Sequence, residues 1–402
     1  MSLPLDLFKF ILLFSLLYAA FGVTSPFLPE LLSLHGIGPE SLGLTLSLAT
    51  MIRLVSAPIA GRIGDRFHAL RVVLAICAAI GGAAALAYLT TSGFPVMLSV
   101  VLLQAAMLAP TSILADALAL NAANTPNIAD RFEYGWVRGL GSLAFILGSL
   151  AAGQAIEAFG IGSIVMTQAA LLLMTGAAAL LLPEISVPRS SNRPLGRIEH
   201  KGALDLLRLA SFRWLIVVAS LILGSHAMHD SFAMIAWNAA GISPAAGSVL
   251  WSESVAAEVV VFLILGPFLL RRLTPETAMT VAAIAALVRW GLLARSSNII
   301  VIAVAEPLHG LTFALLHLSC MRVIAASVPP ELAGVAQAIY GTVGIGLASA
   351  VLTLISGWLY GKFGVQGFAG MFVVVLAALP AIWRLSRVRN AGPSTCAAAQ
   401  IN

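Results

Sequence analysis

The chain has 402 residues, of which 60% are hydrophobic and only 10% are charged, with a formal net charge of +5 and a mean hydropathy of +0.99. This composition excludes a soluble globular protein and is typical of a membrane protein with many spanning helices. The positive charge does not indicate binding to nucleic acid, because basic residues in such a chain mark its cytoplasmic loops.

Twelve apolar runs are long enough to cross a bilayer, since a spanning helix needs about 20 such residues. They cover residues 7–29, 41–60, 71–90, 94–118, 135–158, 162–183, 212–237, 245–269, 277–296, 298–322, 333–360 and 366–386. We therefore predict an all-α membrane protein with twelve transmembrane helices. The first run is too long for the hydrophobic region of a cleavable signal peptide, so we expect it to remain as a spanning helix.

A polar segment at residues 184–211 divides the runs into six and six. It contains PRSSNRPLGRIEHK, whose composition is typical of a flexible basic linker. We predict an N-terminal six-helix bundle at 1–183, a C-terminal bundle at 212–390 and a short tail at 391–402. Two such bundles indicate a small-molecule binding site at their interface, near the bilayer midplane.

Basic residues are distributed unevenly between the two sides of the predicted helices. Eighteen of the 22 lie on the side of the linker and the chain ends, and only Arg295 and Lys362 lie on the other side. Because cytoplasmic loops carry the excess of Lys and Arg, we expect both termini to be cytoplasmic. We predict a multi-pass protein of the plasma membrane, the inner membrane of a bacterium.

The first polar positions within the membrane are Tyr18 in run 1 and Arg53 in run 2. Tyr18 is a candidate aromatic wall residue of a binding cavity. Arg53 lies about twelve residues into its run and has no acid within one helical turn. It is suited to bind a carboxylate, because a guanidinium donates two parallel hydrogen bonds. The alternative is an ion pair with an acid on another helix.

The segment between runs 2 and 3 reads GRIGDRFHALR and resembles the loop motif of the major facilitator superfamily. Its matching residues are Gly61, Asp65, Arg66 and Arg71. Where the family usually has a second glycine and an arginine, this chain has His68 and Ala69. The resemblance implies a cytoplasmic latch, in which the carboxylate meets a helix N-terminus and the arginines form pairs across the bundle interface. The alternative is an ordinary positively charged loop.

Asp116 and Arg138 are the polar residues at the cytoplasmic ends of runs 4 and 5. We expect them to form a structural salt bridge, and we assign them to the cytoplasmic gate with the motif above.

Several further stretches resemble the phenylpropionate permease family, whose members are similar to lactose permease. They are Phe27-Leu-Pro29, Asp116-Ala-Leu, the segment from Tyr134 to Ser142, His226, Val288-Arg-Trp-Gly291 and the segment from Leu308 to Phe313. The resemblance covers nearly the whole chain and implies the major facilitator fold and transport. It also implies coupling roles for Glu258, Arg289 and His309. Thr312 stands where lactose permease has its proton-carrying glutamate, so the proton site must differ in detail.

Run 7 places His226, His229 and Asp230 on one helical face through their spacing of three and four residues. Two histidines and a carboxylate could hold a divalent metal. No further ligand cluster accompanies them, so we favour a cavity rim or gate near the outer face, with His226 and Asp230 as binding candidates.

On run 8, Trp251 and Glu258 share one face, whereas Glu253 lies about 140° away from Glu258. Glu258 is about twelve residues into the run, or ~18 Å, which places it near the midplane. Arg289 on run 9 is similarly deep, and we expect it to pair with Glu258. A purely structural ion pair is the alternative.

On run 10, Glu306, His309, Phe313 and His317 fall within an arc of about 80°. Such a polar and aromatic stripe favours a water-filled cavity, because charged groups in a membrane face protein or water rather than lipid. Each histidine could instead be a core residue bonded to a backbone carbonyl.

These observations favour a proton-coupled symporter that imports a small, aromatic carboxylate by alternating access. The coupling candidates are Glu258, Arg289, His309 and Glu306. The substrate-binding candidates are Arg53, Trp251, His226, Asp230, Phe313 and Tyr18. We expect no cofactor, no bound metal and no nucleic-acid partner, and a monomer in the lipid bilayer suffices for this fold.

Three alternatives stay open. A proton-coupled sugar or nucleoside symporter would share these features. An efflux antiporter is less favoured, because residues 141–149 lack the glycine-proline signature that many facilitator antiporters carry there. A membrane enzyme is least favoured, since the sequence contains no HExxH, Walker, nucleophile-elbow or haem motif.

Overall fold

The computed structural model describes residues 5–123, 133–183 and 195–390, and all regular structure in these ranges is helical. Eleven helical segments are long and apolar enough to cross a membrane. The last of them, Pro330–Asn390, contains 61 residues. A straight helix of that length would measure about 90 Å, three times the thickness of the hydrocarbon core, so it must cross twice.

The turn that divides this last segment is visible in its backbone. Gly364 has φ +56 and is followed by a 3-10 turn at Gly364–Gly367. A Cβ atom on Gly370 would lie 2.5 Å from the side chain of Leu359. Two residues eleven positions apart meet in this way only where the chain reverses direction. The prediction of twelve transmembrane helices is therefore confirmed.

The helices are numbered in chain order. They are α1 (Leu5–Thr24), α2 (Leu28–Leu34), α3 (Pro39–Phe67), α4 (Leu70–Ala87), α5 (Phe94–Ala123), α6 (Tyr134–Phe159), α7 (Gly162–Leu180), α8 (Leu195–Arg208), α9 (Ala210–Ala239), α10 (Pro244–Leu270), α11 (Pro275–Arg295), α12 (Ile299–Ser327), α13 (330–363) and α14 (368–390). All except α2 and α8 are spanning helices. A helix pairs most of its backbone groups internally, which is why spanning segments in hydrocarbon are helical.

Three sequence predictions differ from the structure. Run 1 was predicted to continue to residue 29, but the helix α1 ends at Thr24. A separate short helix, α2, follows it and has a proline in its first turn. The motif segment between runs 2 and 3 is mostly helical, because α3 continues to Phe67 and only two residues separate it from α4. The predicted flexible linker contains α8, whereas residues 184–194 lie outside the described ranges. The tail at 391–402 also lies outside them.

The described chain forms two compact units. The first consists of residues up to Ser190 together with Ser231–Ser252, and the second consists of Ser191–Asp230 together with the chain from Glu253 onward. The ends of α9 and α10 that adjoin the turn between them therefore pack with the N-terminal helices. Within this first unit, the Asn238 side-chain amide donates to Glu30 Oε1 at 2.5 Å, and the Ala245 backbone N–H donates to Glu157 Oε1 at 3.2 Å.

Small residues allow α1 and α6 to approach closely in the first unit. A Cβ atom on Gly22 would lie 2.0 Å from the carbonyl oxygen of Phe145, and one on Gly148 would lie 2.6 Å from that of Ala19. Helix pairs in membranes associate through such close backbone packing, because lipid provides no hydrophobic driving force between helices.

Candidate functional site

The centre of the candidate site is an ion pair between α11 and α12. Arg289 Nη2 donates to Glu306 Oε2 at 2.8 Å, and both side chains are fully buried. The start of α11 is capped by Thr274, which accepts a hydrogen bond from the Thr277 backbone N–H, and that of α12 by Asn298. Arg289 lies six residues before the end of α11 and Glu306 seven residues after the start of α12, so the two helices present the pair at one depth.

His229 on α9 extends the ion pair towards the surface of the second unit. Its Nε2 lies 3.2 Å from Glu306 Oε1, and its Nδ1 lies 3.4 Å from Asp230 Oδ1. The side chain of His229 is buried, whereas that of Asp230 is 60% exposed. This arm therefore connects the buried carboxylate to solvent-accessible Asp230.

His309 extends the ion pair in a second direction. Its Nδ1 lies 3.0 Å from Arg289 Nη1, and its Nε2 lies 3.5 Å from Glu258 Oε2. A guanidinium only donates hydrogen bonds, so Nδ1 of His309 must be the acceptor. The imidazole proton is then on Nε2, directed at Glu258. The side chain of Glu258 is 26% exposed, and it forms the accessible end of this arm.

We call these six residues, Asp230, His229, Glu306, Arg289, His309 and Glu258, the polar chain. Its three carboxylates and one guanidinium carry a formal charge of −2 when both histidines are neutral. Unbalanced charge is costly within a membrane protein. The polar chain therefore has the composition of a group that takes up protons.

The sequence analysis predicted an ion pair of Arg289 with Glu258, and this detail was wrong. Arg289 pairs with Glu306 instead, and Glu258 is connected to it through His309. The sequence contained a usable signal, because Arg289 and Glu306 are nearly equidistant from the short turn between α11 and α12. His229, which bridges Glu306 and Asp230, had been placed on the polar face of run 7 but was not among the predicted site residues.

A row of aromatic rings adjoins the polar chain on the second unit. His309 and Phe313 are stacked with centroids 5.6 Å apart, and Phe313 and His317 are stacked at 6.5 Å. Phe262 meets Phe313 edge-on at 6.3 Å, and Tyr340 lies 5.6 Å from His317. We call these five residues the aromatic wall.

The three helices that form the aromatic wall all contain a π-helical segment. These segments are Val261–Leu265, Leu311–Leu315 and Tyr340–Leu347. A π-helical turn holds one more residue than an α-helical turn and is frequent at functional sites. Sequence periodicity assumes a regular α-helix, so it could not reveal these segments.

The remaining predicted binding residues differ in accessibility. Arg53 on α3 is exposed and makes no hydrogen bond or ion pair with any residue of the described ranges. Trp251 is buried, with 8% of its surface exposed. His226 is buried too; its Nδ1 lies 3.1 Å from the Ile222 and Leu223 carbonyl oxygens and its Nε2 2.8 Å from Thr312 Oγ1. Both ring nitrogens of His226 are thus engaged with protein groups.

The predicted salt bridge between Asp116 and Arg138 is not formed in this structure. Asp116 accepts a hydrogen bond from the Tyr134 hydroxyl at 2.9 Å, and the Arg138 guanidinium lies 4.5 Å from the ring centroid of Tyr18. A cation over an aromatic face is attracted by the ring quadrupole. Tyr18, predicted as a wall residue, and Arg138, predicted as a gate residue, thus contact one another.

The motif residues Gly61, Asp65 and Arg66 lie in the last two turns of α3. Asp65 and Arg66 are exposed, and neither forms an ion pair within the described part of the chain. Arg71, at the start of α4, donates to the carbonyl oxygen of Leu182 at 2.9 Å. The latch contacts that the resemblance implies stay a prediction.

Comparison with known proteins gives consistent results. The model of the MFS_1 like family matches residues 7–369. The chain is 33% identical to the "Probable 3-phenylpropionic acid transporter" of Escherichia coli (strain K12), over 92% of this chain and 95% of that protein. It is 23% identical to the maltose permease of Geobacillus stearothermophilus, over 95% of each chain. The crystal structure of the nucleoside transporter NupG superimposes with a TM-score of 0.81 at 17% identity, over 96% of this chain and 99% of that one.

Proposed function

Because this chain belongs to the MFS_1 like family of major facilitator transporters, we propose that it is a symporter that uses a proton gradient to import a small aromatic carboxylate. The chain is a multi-pass membrane transporter and not an enzyme. The observation that carries the proposal of proton coupling is the polar chain, which connects two accessible carboxylates to a buried ion pair.

The proposed coupling follows from the hydrogen bond between Arg289 and His309. His309 Nδ1 cannot carry a proton while it accepts from Arg289 Nη1 at 3.0 Å. Because Nε2 of His309 already carries the imidazole proton, a second proton can be added only at Nδ1, and this requires Arg289 to withdraw. The imidazolium can then pass its Nε2 proton to Glu258, which it faces at 3.5 Å. Protonation of Glu306 removes the other partner that holds Arg289. Proton binding and the position of Arg289 are thus linked, and a change of conformation needs such a link.

The proposed substrate class rests on three features. The E. coli relative is named as a 3-phenylpropionic acid transporter. Arg53 is exposed and forms no hydrogen bond or ion pair with the described residues, so its guanidinium is available for a carboxylate. The aromatic wall supplies rings on which an aromatic substrate can stack. We assign Arg53 as the carboxylate receptor.

The test is uptake by purified transporter in proteoliposomes with an imposed inward proton gradient. We expect accumulation of 3-phenylpropionate that a protonophore abolishes, and no accumulation of maltose or uridine. Accumulation of either of those instead would show a sugar or nucleoside symporter. Accumulation driven only by a proton gradient of the opposite direction would show an antiporter.

Glu258→Gln, with Glu253→Gln as its control, tests the polar chain in the same assay. Both glutamates lie on α10, but only Glu258 contacts His309. We expect Glu258→Gln to lose accumulation against a gradient and to retain substrate exchange at equal concentrations, because exchange need not deprotonate the site. Glu253→Gln should retain both. Uphill accumulation by Glu258→Gln would remove Glu258 from the proton route.

A further inference from the structure

The aromatic wall offers a stacking surface whose two ends differ in available hydrogen-bonding groups. Phe313 is at its centre, and its ring is nearly parallel to His309 on one side and to His317 on the other, with interplanar angles of 10° in each case. In a regular α-helix, residues four apart drift by about 40° around the axis. The π-helical segment Leu311–Leu315 lies between the two histidines and offsets part of this drift.

At the first end, both ring nitrogens of His309 are occupied. Nδ1 accepts from Arg289 at 3.0 Å, and Nε2 faces Glu258 at 3.5 Å. A polar substituent on a bound aromatic ring would have to break one of these contacts to reach His309. At this end of the wall, both histidine nitrogens therefore bind residues of the polar chain and are not available to a substrate.

At the second end, His317 uses only one ring nitrogen. Its Nδ1 lies 3.1 Å from the hydroxyl oxygen of Tyr340, which is buried. Nε2 of this half-buried histidine has no hydrogen-bond partner in the residues that the structure covers. Either tautomer leaves Nε2 able to bond a hydroxyl, because a hydroxyl both donates and accepts.

We propose that the aromatic wall is a subsite for the substrate ring and that His317, held in place by Tyr340, binds a hydroxyl group on that ring. The preferred substrates are then hydroxylated aromatic acids rather than the unsubstituted ones. This inference rests on the proposed function and deepens it. His317 is a specificity-determining residue, and Tyr340 is a positioning residue.

The experiment is equilibrium binding to the purified full-length transporter in detergent, with 3-phenylpropionate and its 3-hydroxyphenyl and 4-hydroxyphenyl analogues as probes. One neutral hydrogen bond corresponds to about a fivefold difference in affinity. We expect the wild type to bind one of the hydroxylated acids about fivefold more tightly than 3-phenylpropionate. His317→Phe keeps the stacked ring but lacks the nitrogen, so it should lose this preference, which is measured as the ratio of its affinities for the hydroxylated acid and for 3-phenylpropionate.

Three further variants make the outcome decisive. His317→Gln retains a hydrogen-bonding group and should keep a preference, and Tyr340→Phe should reduce the preference without abolishing binding. His35→Phe is the control, because His35 follows α2 in the first unit and its Nδ1 contacts only the Leu31 carbonyl oxygen at 2.8 Å. Equal wild-type affinity for all three acids, or equal weakening of all three by His317→Phe, would overturn the inference but not the proposed function. Failure of the wild type to bind any of them would overturn both.

Discussion

At the level of single residues, the buried Arg289–Glu306 ion pair is compatible with a stable fold only while both partners are present. Each side chain is fully buried, so each has lost its hydration. The attraction between them offsets that loss only while the pair is intact. Removal of one partner leaves an isolated buried charge, which is far more costly than removal of both.

Glu306→Gln should therefore lower the free energy of unfolding by about 3–5 kcal/mol, because it leaves Arg289 without its carboxylate. The double variant with Arg289→Gln should recover most of this loss, since no buried charge remains. Thermal or denaturant unfolding of the detergent-solubilised protein measures both. If the double variant is as unstable as the single one, the pair is not the source of the effect. We expect neither variant to couple transport to protons.

Arg53 leads to a prediction about affinity rather than stability. Arg53→Lys should weaken binding of a carboxylate substrate by about tenfold, because a lysine ammonium cannot donate two parallel hydrogen bonds. The amide analogue of the substrate should bind weakly to the wild type and be little affected by the substitution. Competition binding with the acid and its amide makes the measurement. An equal loss for acid and amide would assign Arg53 a structural role.

At the level of helices, the junction of α3 and α4 depends on an unusual backbone conformation. His68 ends α3 with φ 51 and ψ 38, and its backbone N–H bonds to the Asp65 carbonyl oxygen. It is the one non-glycine residue with positive φ in the described ranges. Side chains with a Cβ atom are strained in this region, and glycine is not.

His68→Gly should raise the free energy of unfolding by about 0.5–1 kcal/mol, as the relief of strain exceeds the greater freedom of glycine in the unfolded chain. Ala69→Gly is the matched control, because Ala69 has φ -129 and gains nothing from glycine. It should be neutral or slightly destabilising. Thermal unfolding of the two variants side by side provides the comparison. A stabilising Ala69→Gly or a destabilising His68→Gly would contradict this explanation.

Most spanning helices could be predicted from the sequence, because each is a run of about 20 apolar residues between polar boundaries. Hydropathy does not report local breaks and additions. It missed α2, which follows α1 after only three residues, and α8, which is amphipathic and lies within a polar segment. It also missed the π-helical segments, whose extra residue per turn changes which side chains coincide on one face.

The candidate site could be predicted by residue type but not by partner. An intramembrane charge is conspicuous in sequence, and Glu258, Arg289, Glu306 and His309 were all identified in this way. Which carboxylate pairs with Arg289 depends on the relative depth and rotation of three helices. Composition contains no information on those quantities, although the spacing around the turn between α11 and α12 would have favoured Glu306.

At the level of the whole molecule, the uneven distribution of basic residues predicts the orientation in the membrane. In a variant that lacks the three native cysteines, a cysteine introduced at Ser92 or Ser297 should react with an impermeant thiol reagent added outside the cell. A cysteine at Asn192, in the segment that the structure does not describe, should react only after the membrane is permeabilised. Ser297 is preferred to Asn298, whose side chain caps α12. Outside labelling at residue 192 would reverse the predicted orientation.

The contact that Glu30 makes between α2 and the end of α9 should depend on pH. Burial raises the pKa of the Glu30 carboxyl above its usual range, and the hydrogen bond from Asn238 opposes this shift. An acid whose folded-state pKa is raised favours folding when protonated. That contribution is complete below the ordinary glutamate value of about 4.3 and is lost as the pH rises through the raised pKa.

The wild type should therefore gain thermal stability as the pH falls from about 8 to about 5, relative to Glu30→Gln. Glutamine resembles the protonated acid, so the variant should lack this part of the pH dependence. Glu157→Gln serves as the control, since Glu157 accepts a hydrogen bond in the same unit but is exposed. Parallel unfolding curves for wild type and Glu30→Gln at every pH would show that Glu30 is not the responsible group.

The residue ranges that form the first compact unit also determine whether the chain can be cut into two fragments that fold separately. Residues Ser231–Ser252 belong to that unit although they lie beyond the polar segment that separates the two sets of six runs. If the gene were cut at that segment, the first fragment would lack the stretch that covers Glu30 and Glu157, and the second would carry that stretch without its partner. Neither fragment would be a complete folding unit. The two sets of six spanning runs on either side of the polar segment are thus not units of independent assembly.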